Sequence, residues 1–254
     1  MKRKRFASLP CLNRPRILCS LIVVMLAPAC MQAAEPKPQA EAKPAGESTR
    51  PDKEGWVNLL DKEALKKWKI LDEFDFSDHG EVRISDKGIR LEKGFPATGV
   101  KWTGDFPKTN YEVSLEARRV YSDDFFCGLT FPVGDKILTL VCGGWGGQVT
   151  GLSEIDGERA IENDTCTFNE YKENQWYRIR LRVLKEKIEA WLDDEQIVDL
   201  PLKARQLSLA WEMEPAQPFG VCSWNTSGEL RNFRFRSLDK KTPTKVQDSA
   251  PKPE

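Results

Sequence analysis

Between Trp176 and Leu200 the chain reads WYRIRLRVLKEKIEAWLDDEQIVDL, and the alternation in that stretch constrains the fold more than any other feature. Tyr177, Ile179, Leu181 and Val183 are separated by Arg178, Arg180 and Arg182, which makes one face of an extended strand apolar and the other cationic. Ile188, Ala190 and Leu192 repeat the alternation. Asp193 and Asp194 supply turn chemistry, and Ile197 to Leu200 resume an apolar run that Pro201 stops. The segment predicts a three-strand antiparallel meander, although LRVLKEKIEAWL taken alone has good helix formers at i, i+4 spacing. A meander apolar on one side needs a second sheet to cover it.

The chain around it has 254 residues and eight tryptophans, enough for one good-sized core. Residues 1–34 read as an export signal. Met1 to Arg16 carries six basic residues and no acid, and ILCSLIVVMLAPA at 17–29 has the length of a signal h-region and is short for a membrane span. Cleavage follows Ala29 or falls near Ala33 or Ala34. Cys30, directly after a small residue, resembles a lipoprotein processing box, from which Ala27 and Pro28 depart. The expected location is therefore the periplasm, cell envelope or exterior, with no transmembrane domain after signal cleavage and a lipid anchor only if Cys30 is processed. Without residues 1–34, 33 basic residues face 39 acidic ones, a net charge of −6 that argues against a nucleic-acid partner.

Residues 35–54 are Pro, Lys, Glu and Ala without a large apolar side chain, and 239–254 are alike in character, so both are expected to be disordered. One domain remains, from 55 to 238. Its pattern is almost wholly β: EVRIS, GIRLEKG, GVKWTG, YEVSLEARRV, FFCGLTFPV, KILTLVC, GQVTGL, the meander, QLSLAW, FGVCSW and LRNFRFRSL. Turn signals separate these runs about every ten residues. Many short antiparallel strands without helices between them predict an all-β, concanavalin A-like or LamG-like jelly-roll sandwich of two antiparallel sheets. Cys127, Cys142, Cys166 and Cys222 allow up to two disulfides, or three of them serve as small buried hydrophobes.

GWVNLLDKEALKKWKI, WYRIRLRV with IEAWLDDEQIVDL, and FGVCSWNTSGELRNFRFRSL resemble the family of 3-keto-disaccharide hydrolase-like domains, over residues 55 to 238. The resemblance implies an exported domain acting on carbohydrate. Such a domain would cleave the glycosidic bond of a 3-oxidised sugar, whose carbonyl acidifies the neighbouring C–H and permits elimination with a general base and a divalent metal such as calcium. Where the family has a Gly-Leu-Gln-x-His-like strand end, this chain has FGVCSWNTS, without the Gln and His. The alternative is a non-catalytic glycan-binding or cell-envelope interaction module of the same fold.

Local chemistry supplies the candidate residues. In CGGWGGQVTG, Trp145 stands between two glycine pairs and would project with little around it, as a surface for stacking a sugar ring or as a plug at the end of the core. Trp224 in CSWNTS is its counterpart, and Gln148, Asn225 and Arg118 are candidate hydrogen-bonding partners for a ligand. Glu154-Ile155-Asp156-Gly157-Glu158 resembles a jelly-roll endoglucanase signature that aims three carboxylates at one face. Asp156-Gly157 is equally a good two-residue hairpin turn, which would splay them into solvent. Glu116 is the remaining catalytic candidate, sharing with Arg118 a strand face that lies toward solvent or a groove. Asp72, Asp75 and Asp78 beside His79 supply oxygen ligands of the kind calcium takes, or form an acidic loop.

Overall fold

A computed structural model describes residues 54–239, so the expected leader, nearly all of the linker and the tail lie outside the described residues. Among the described residues the chain lays down β1 (Trp56–Asn58), β2 (Trp68–Ile70), β3 (Val82–Ser85), β4 (Gly88–Leu91), β5 (Ala97–Trp102) and the long β6 (Tyr111–Tyr121). Then come β7 (Cys127–Val133), β8 (Lys136–Gly143), β9 (Val149–Ser153) and the short β10 (Thr167–Phe168). The meander supplies β11 (Tyr177–Val183), β12 (Lys187–Leu192) and β13 (Glu195–Pro201), before β14 (Gly220–Trp224) and β15 (Ser227–Ser237).

These strands form two antiparallel sheets. One has eight strands in the order β13-β12-β11-β6-β15-β4-β3, with β1 also paired to β15; the other has seven, β10-β9-β8-β7-β14-β5-β2. The molecule is the all-β jelly-roll sandwich expected from the strand pattern. QLSLAW differs from expectation: it forms no strand, and Leu207 makes a single bridge to Ile155. Its backbone is spent instead on Glu154 and Asp156, so the segment ties a covering loop to the sheet edge. Among the described residues no helix is long and apolar enough to cross a membrane.

The register explains the alternation of the meander. Ile179 opposes Leu115 and Leu181 opposes Val113 on the inner face, while Arg178 opposes Glu116 and Arg182 opposes Glu112 on the outer one. The inner residues are buried in one core with Leu129 and Leu140 of the seven-stranded sheet, Phe219 just before β14, and Phe233 of β15. Each such large side chain taken from water stabilises the fold by roughly 1.5–3 kcal/mol. At one end Phe106 stacks on Phe219 with centroids 3.8 Å apart, and Trp68 meets Trp102 edge-on at 5.2 Å. Tyr111 of β6, fully buried, donates its hydroxyl to the Pro132 carbonyl of β7 at 2.6 Å and so joins the two sheets through the core.

On the outer face of the eight-stranded sheet, opposite charges oppose one another across strands. The Glu112 side chain, 1% exposed, receives Arg236 at 3.0 Å and Arg182 at 3.3 Å. Guanidiniums also lie over indoles, Arg231 over Trp176 at 4.0 Å and Arg180 over Trp191 at 3.9 Å. The four described cysteines are free, and three are buried. Cys127 and Cys142 oppose each other on β7 and β8, where hydrogen bonding between them and burial hold the Cys127 thiol protonated. Burial likewise raises the Cys222 thiol to about 12.

Candidate functional site

The outer face of the seven-stranded sheet is partly roofed by segments that are not strands. Two 3-10 turns, Phe74–Phe76 and Trp211–Ala216, press Phe76, Met213 and Ala216 onto Ala97 and Cys222, forming a satellite apolar cluster. The loop at 154–166 folds over β9. Asn163 donates its amide to the Leu152 carbonyl at 2.8 Å, and the Leu152 N–H donates to Thr165 Oγ1 at 2.9 Å. Gly151 permits that approach, since a Cβ there would stand 3.0 Å from the Thr165 carbonyl oxygen.

Between the two roofs a recess of about 200 Å³ stays open. Thr139 and Val141 of β8 and Ser153 of β9 form its floor. Trp145, Phe125 and Trp224 line it as aromatic walls, and Asp124, Arg159 and Glu212 supply its charged groups. Phe125 and Trp224 lie roughly parallel with centroids 6.0 Å apart, and the Trp224 N–H donates to the Phe125 carbonyl at 3.0 Å.

Trp145 reaches the recess because its backbone is left-handed, φ 49°, within a tight turn at Gly144–Gly147. Gly147 closes that turn at φ 93°, where a side chain would collide with the guanidinium of Arg119 at 2.4 Å. Arg119 donates to the Gly147 carbonyl at 3.2 Å and also to the Tyr171 carbonyl, so the turn is pinned from beneath. The indole is 42% exposed.

Asp124 is the half-buried acid of the recess. Burial raises its pKa above the usual carboxylate value, an effect that the N–H groups of Phe125 and Trp145 partly offset by donating to it. Arg159 reaches Glu154 at 2.8 Å and Glu212 at 2.9 Å. The second oxygen of Glu212 is buried without a partner. One cation therefore stands between two carboxylates in the same recess as an acid whose pKa burial raises, under an aromatic wall. Such an arrangement can hold hydroxyl groups of a small ring and move a proton.

Of the residues expected from sequence, Trp145 and Trp224 come together in this recess, and Glu154 touches its Arg159. Gln148, exposed, and Asn225 are not among its lining residues. Glu116 and Arg118 belong to the other sheet: Glu116 accepts from Arg231 at 2.8 Å and from Asn232 at 2.7 Å, and Arg118 pairs with Glu229 at 2.6 Å. The three-carboxylate string is a turn. Asp156 and Gly157 have φ of 56° and 84°, Ile155 and Glu158 exchange backbone hydrogen bonds, and Glu158 is exposed. Asp156 points away from the recess to the Gln206 N–H at 2.7 Å and Arg205 at 2.6 Å, contacts that lower its pKa. The two-residue hairpin geometry overrides the strand alternation that would have aligned the acids.

Among the described residues no group of three or more His, Cys, Asp or Glu side chains converges, so Asp72, Asp75 and Asp78 do not form a calcium-type cluster. In the recess the space between Glu154 and Glu212 is taken by a guanidinium. That donor set does not fit a divalent metal. Asp124, Arg159 and Glu212 went unmarked in the sequence because they come from three separate connections. The acidic pair before the buried FFCGLTF strand was the one available signal for Asp124.

The family described as 3-keto-alpha-glucoside-1,2-lyase-like domain matches residues 55–237. No curated protein matches the sequence. Among solved structures, the carbohydrate-binding module CBM66 from Bacillus subtilis is 9% identical, with 67% of this chain and 96% of that one covered and a TM-score of 0.45. A galectin-like protein from Bacillus subtilis is 11% identical over 72% of this chain and 94% of its own, with a TM-score of 0.47. The apo Crh5 transglycosylase is 8% identical over 73% and 84%, with a TM-score of 0.49.

Proposed function

The chain belongs to the 3-keto-alpha-glucoside-1,2-lyase-like domain family, and from that membership we propose that its recess receives a sugar ring oxidised at C3 and cleaves the adjoining glycosidic bond. One observation carries this reading: two tryptophans distant in sequence line the same recess as an acid whose pKa is raised by burial. At about 200 Å³ the recess is smaller than the roughly 300–1,000 Å³ of sites for drug-sized ligands, and suits a single ring.

The chemistry follows from the ketone. A carbonyl at C3 acidifies the C2 hydrogen; removing that proton sends its electron pair into the C1–C2 bond and expels the glycosidic oxygen from C1. Asp124 is the group suited to take the proton, because a carboxylate with a raised pKa is a stronger base. Arg159 lines the same recess and would offset negative charge growing on the C3 oxygen. Trp145 and Trp224 would hold the ring by its apolar face. Incubating the full chain with 3-oxidised and ordinary disaccharides tests this. Product from the 3-oxidised sugar alone is expected, with kcat reduced by about 10²-fold or more in Asp124→Asn. An unchanged rate in that variant would overturn the assignment.

A second reading is a glycan-binding module without catalysis, exported like the first if residues 1–34 act as a signal. The contacts of Arg159 favour it, since its single positive charge is already shared by Glu154 and Glu212 and both acids are engaged. Binding of saccharide without product from any sugar would select this reading.

A further inference from the structure

At the β3–β4 edge of the eight-stranded sheet lies a second concavity, of about 420 Å³, on the other side of the sandwich from the recess. Arg83, Lys87, Arg90 and Arg118 line it together with Ser85 and Glu229. Four cations thus share one lining carboxylate. Arg83 and Arg90 are also braced by Glu81 at 2.7 Å and by Glu92 at 2.9 Å. With those two acids counted, one positive charge is still in excess among the lining groups and their braces; Asp86, beside Lys87 in the turn, does not line the concavity. Lys87, at the tip of the hairpin, has no ion-pair partner among the described residues.

The bracing also prepares the arginines as donors. Arg83 spends Nε and Nη2 on Glu81 and keeps Nη1 uncommitted. Arg118 is held by Glu229 through Nε and Nη2 and by the Trp176 ring at 4.6 Å, so less side-chain freedom is lost when a ligand arrives. Ser85 adds a hydroxyl at the same wall. We propose that this concavity binds the oxyanion group, carboxylate or sulfate ester, of an acidic glycan. Its volume falls within the range of ligand pockets. A membrane surface would instead call for a broad basic face with exposed apolar side chains among the charges.

The test is affinity electrophoresis of the full chain in agarose carrying polygalacturonate, dextran sulfate or neutral dextran, with co-sedimentation on phosphatidylglycerol vesicles. Retardation by polygalacturonate, dextran sulfate or both, and not by dextran, is expected, the two arms separating carboxylate from sulfate. Lys87→Glu should weaken it about tenfold and Arg83→Gln less, whereas Lys185→Glu, on the β11–β12 turn, should leave it in place. Absence of retardation by both polyanions overturns the proposal. So does an equal loss in Lys185→Glu, which would mean net charge alone, or vesicle binding as strong as glycan binding.

Discussion

Arg159 Nη2 lies 2.9 Å from Glu212 Oε1, and this contact ties the loop over β9 to the 3-10 turn on the far side of the recess. The same guanidinium holds Glu154, so removing it would leave two mostly buried carboxylates facing each other without a cation. Arg159→Ala should therefore destabilise the fold by about 1–3 kcal/mol, more than Glu154→Gln or Glu212→Gln alone. Urea unfolding of the three variants measures this. A smaller loss for the arginine than for either acid would show that the pairings contribute little.

Trp145 and Trp68 make a matched comparison, the first 42% exposed and the second 7%. Trp68→Ala should cost about 3–5 kcal/mol, and Trp145→Ala about 1 kcal/mol or less. Saccharide binding should fall in the Trp145 variant. A large drop in its thermal midpoint with binding unchanged would make it an ordinary packing residue.

Asp124 gives a pH signature. Its folded pKa lies above the ordinary 3.8, so the group adds stability at low pH and loses that contribution as pH rises through the folded value. Asp124→Asn, which cannot ionise, should melt higher than the parent at pH 7, with the gap closing below about pH 3.8. A parent that melts higher at pH 7 would mean that the carboxylate is stabilised by its N–H donors more than burial opposes it.

Glu158, exposed on the turn, should be dispensable. Glu158→Gln is expected to keep kcat/KM within about twofold of the parent. A loss of several orders of magnitude with the fold intact would restore it to the reacting group.

Tyr111→Phe removes the hydroxyl that joins the sheets and strands the Pro132 carbonyl in the core. The expected cost is about 1–3 kcal/mol by denaturant midpoint at unchanged m-value.

The fold was legible where periodicity is carried by many residues. The arginine/aliphatic alternation of β11 fixes which face is wet, and one slipped residue would have buried Arg180 and exposed Leu181. The site was legible only where a side chain is locally unusual, as at Trp145 with its glycine pairs. Glu116 falls outside the recess because alternation says which face of its strand a residue takes and not on which sheet the recess lies. Asp124, Arg159 and Glu212 lie on connections whose convergence is a tertiary fact, with no spacing to announce it.

The floor of the recess has a further consequence for how such a domain can change. Thr139, Val141 and Ser153 are small residues on two hydrogen-bonded strands, with Thr139 directly opposite Ser153. Their backbone ladder does not depend on side-chain identity, but Thr139 shares its hydroxyl with Thr130 at 3.0 Å and Val141 packs with Val149 and Ala160, so Ser153 is the floor residue whose side chain is least tied. The roof is different, because Gly151 fixes how closely the loop lies and cannot gain even a methyl group without moving it. A change in the shape of the recess would thus enter most easily at Ser153, beneath a loop whose position Gly151 holds fixed.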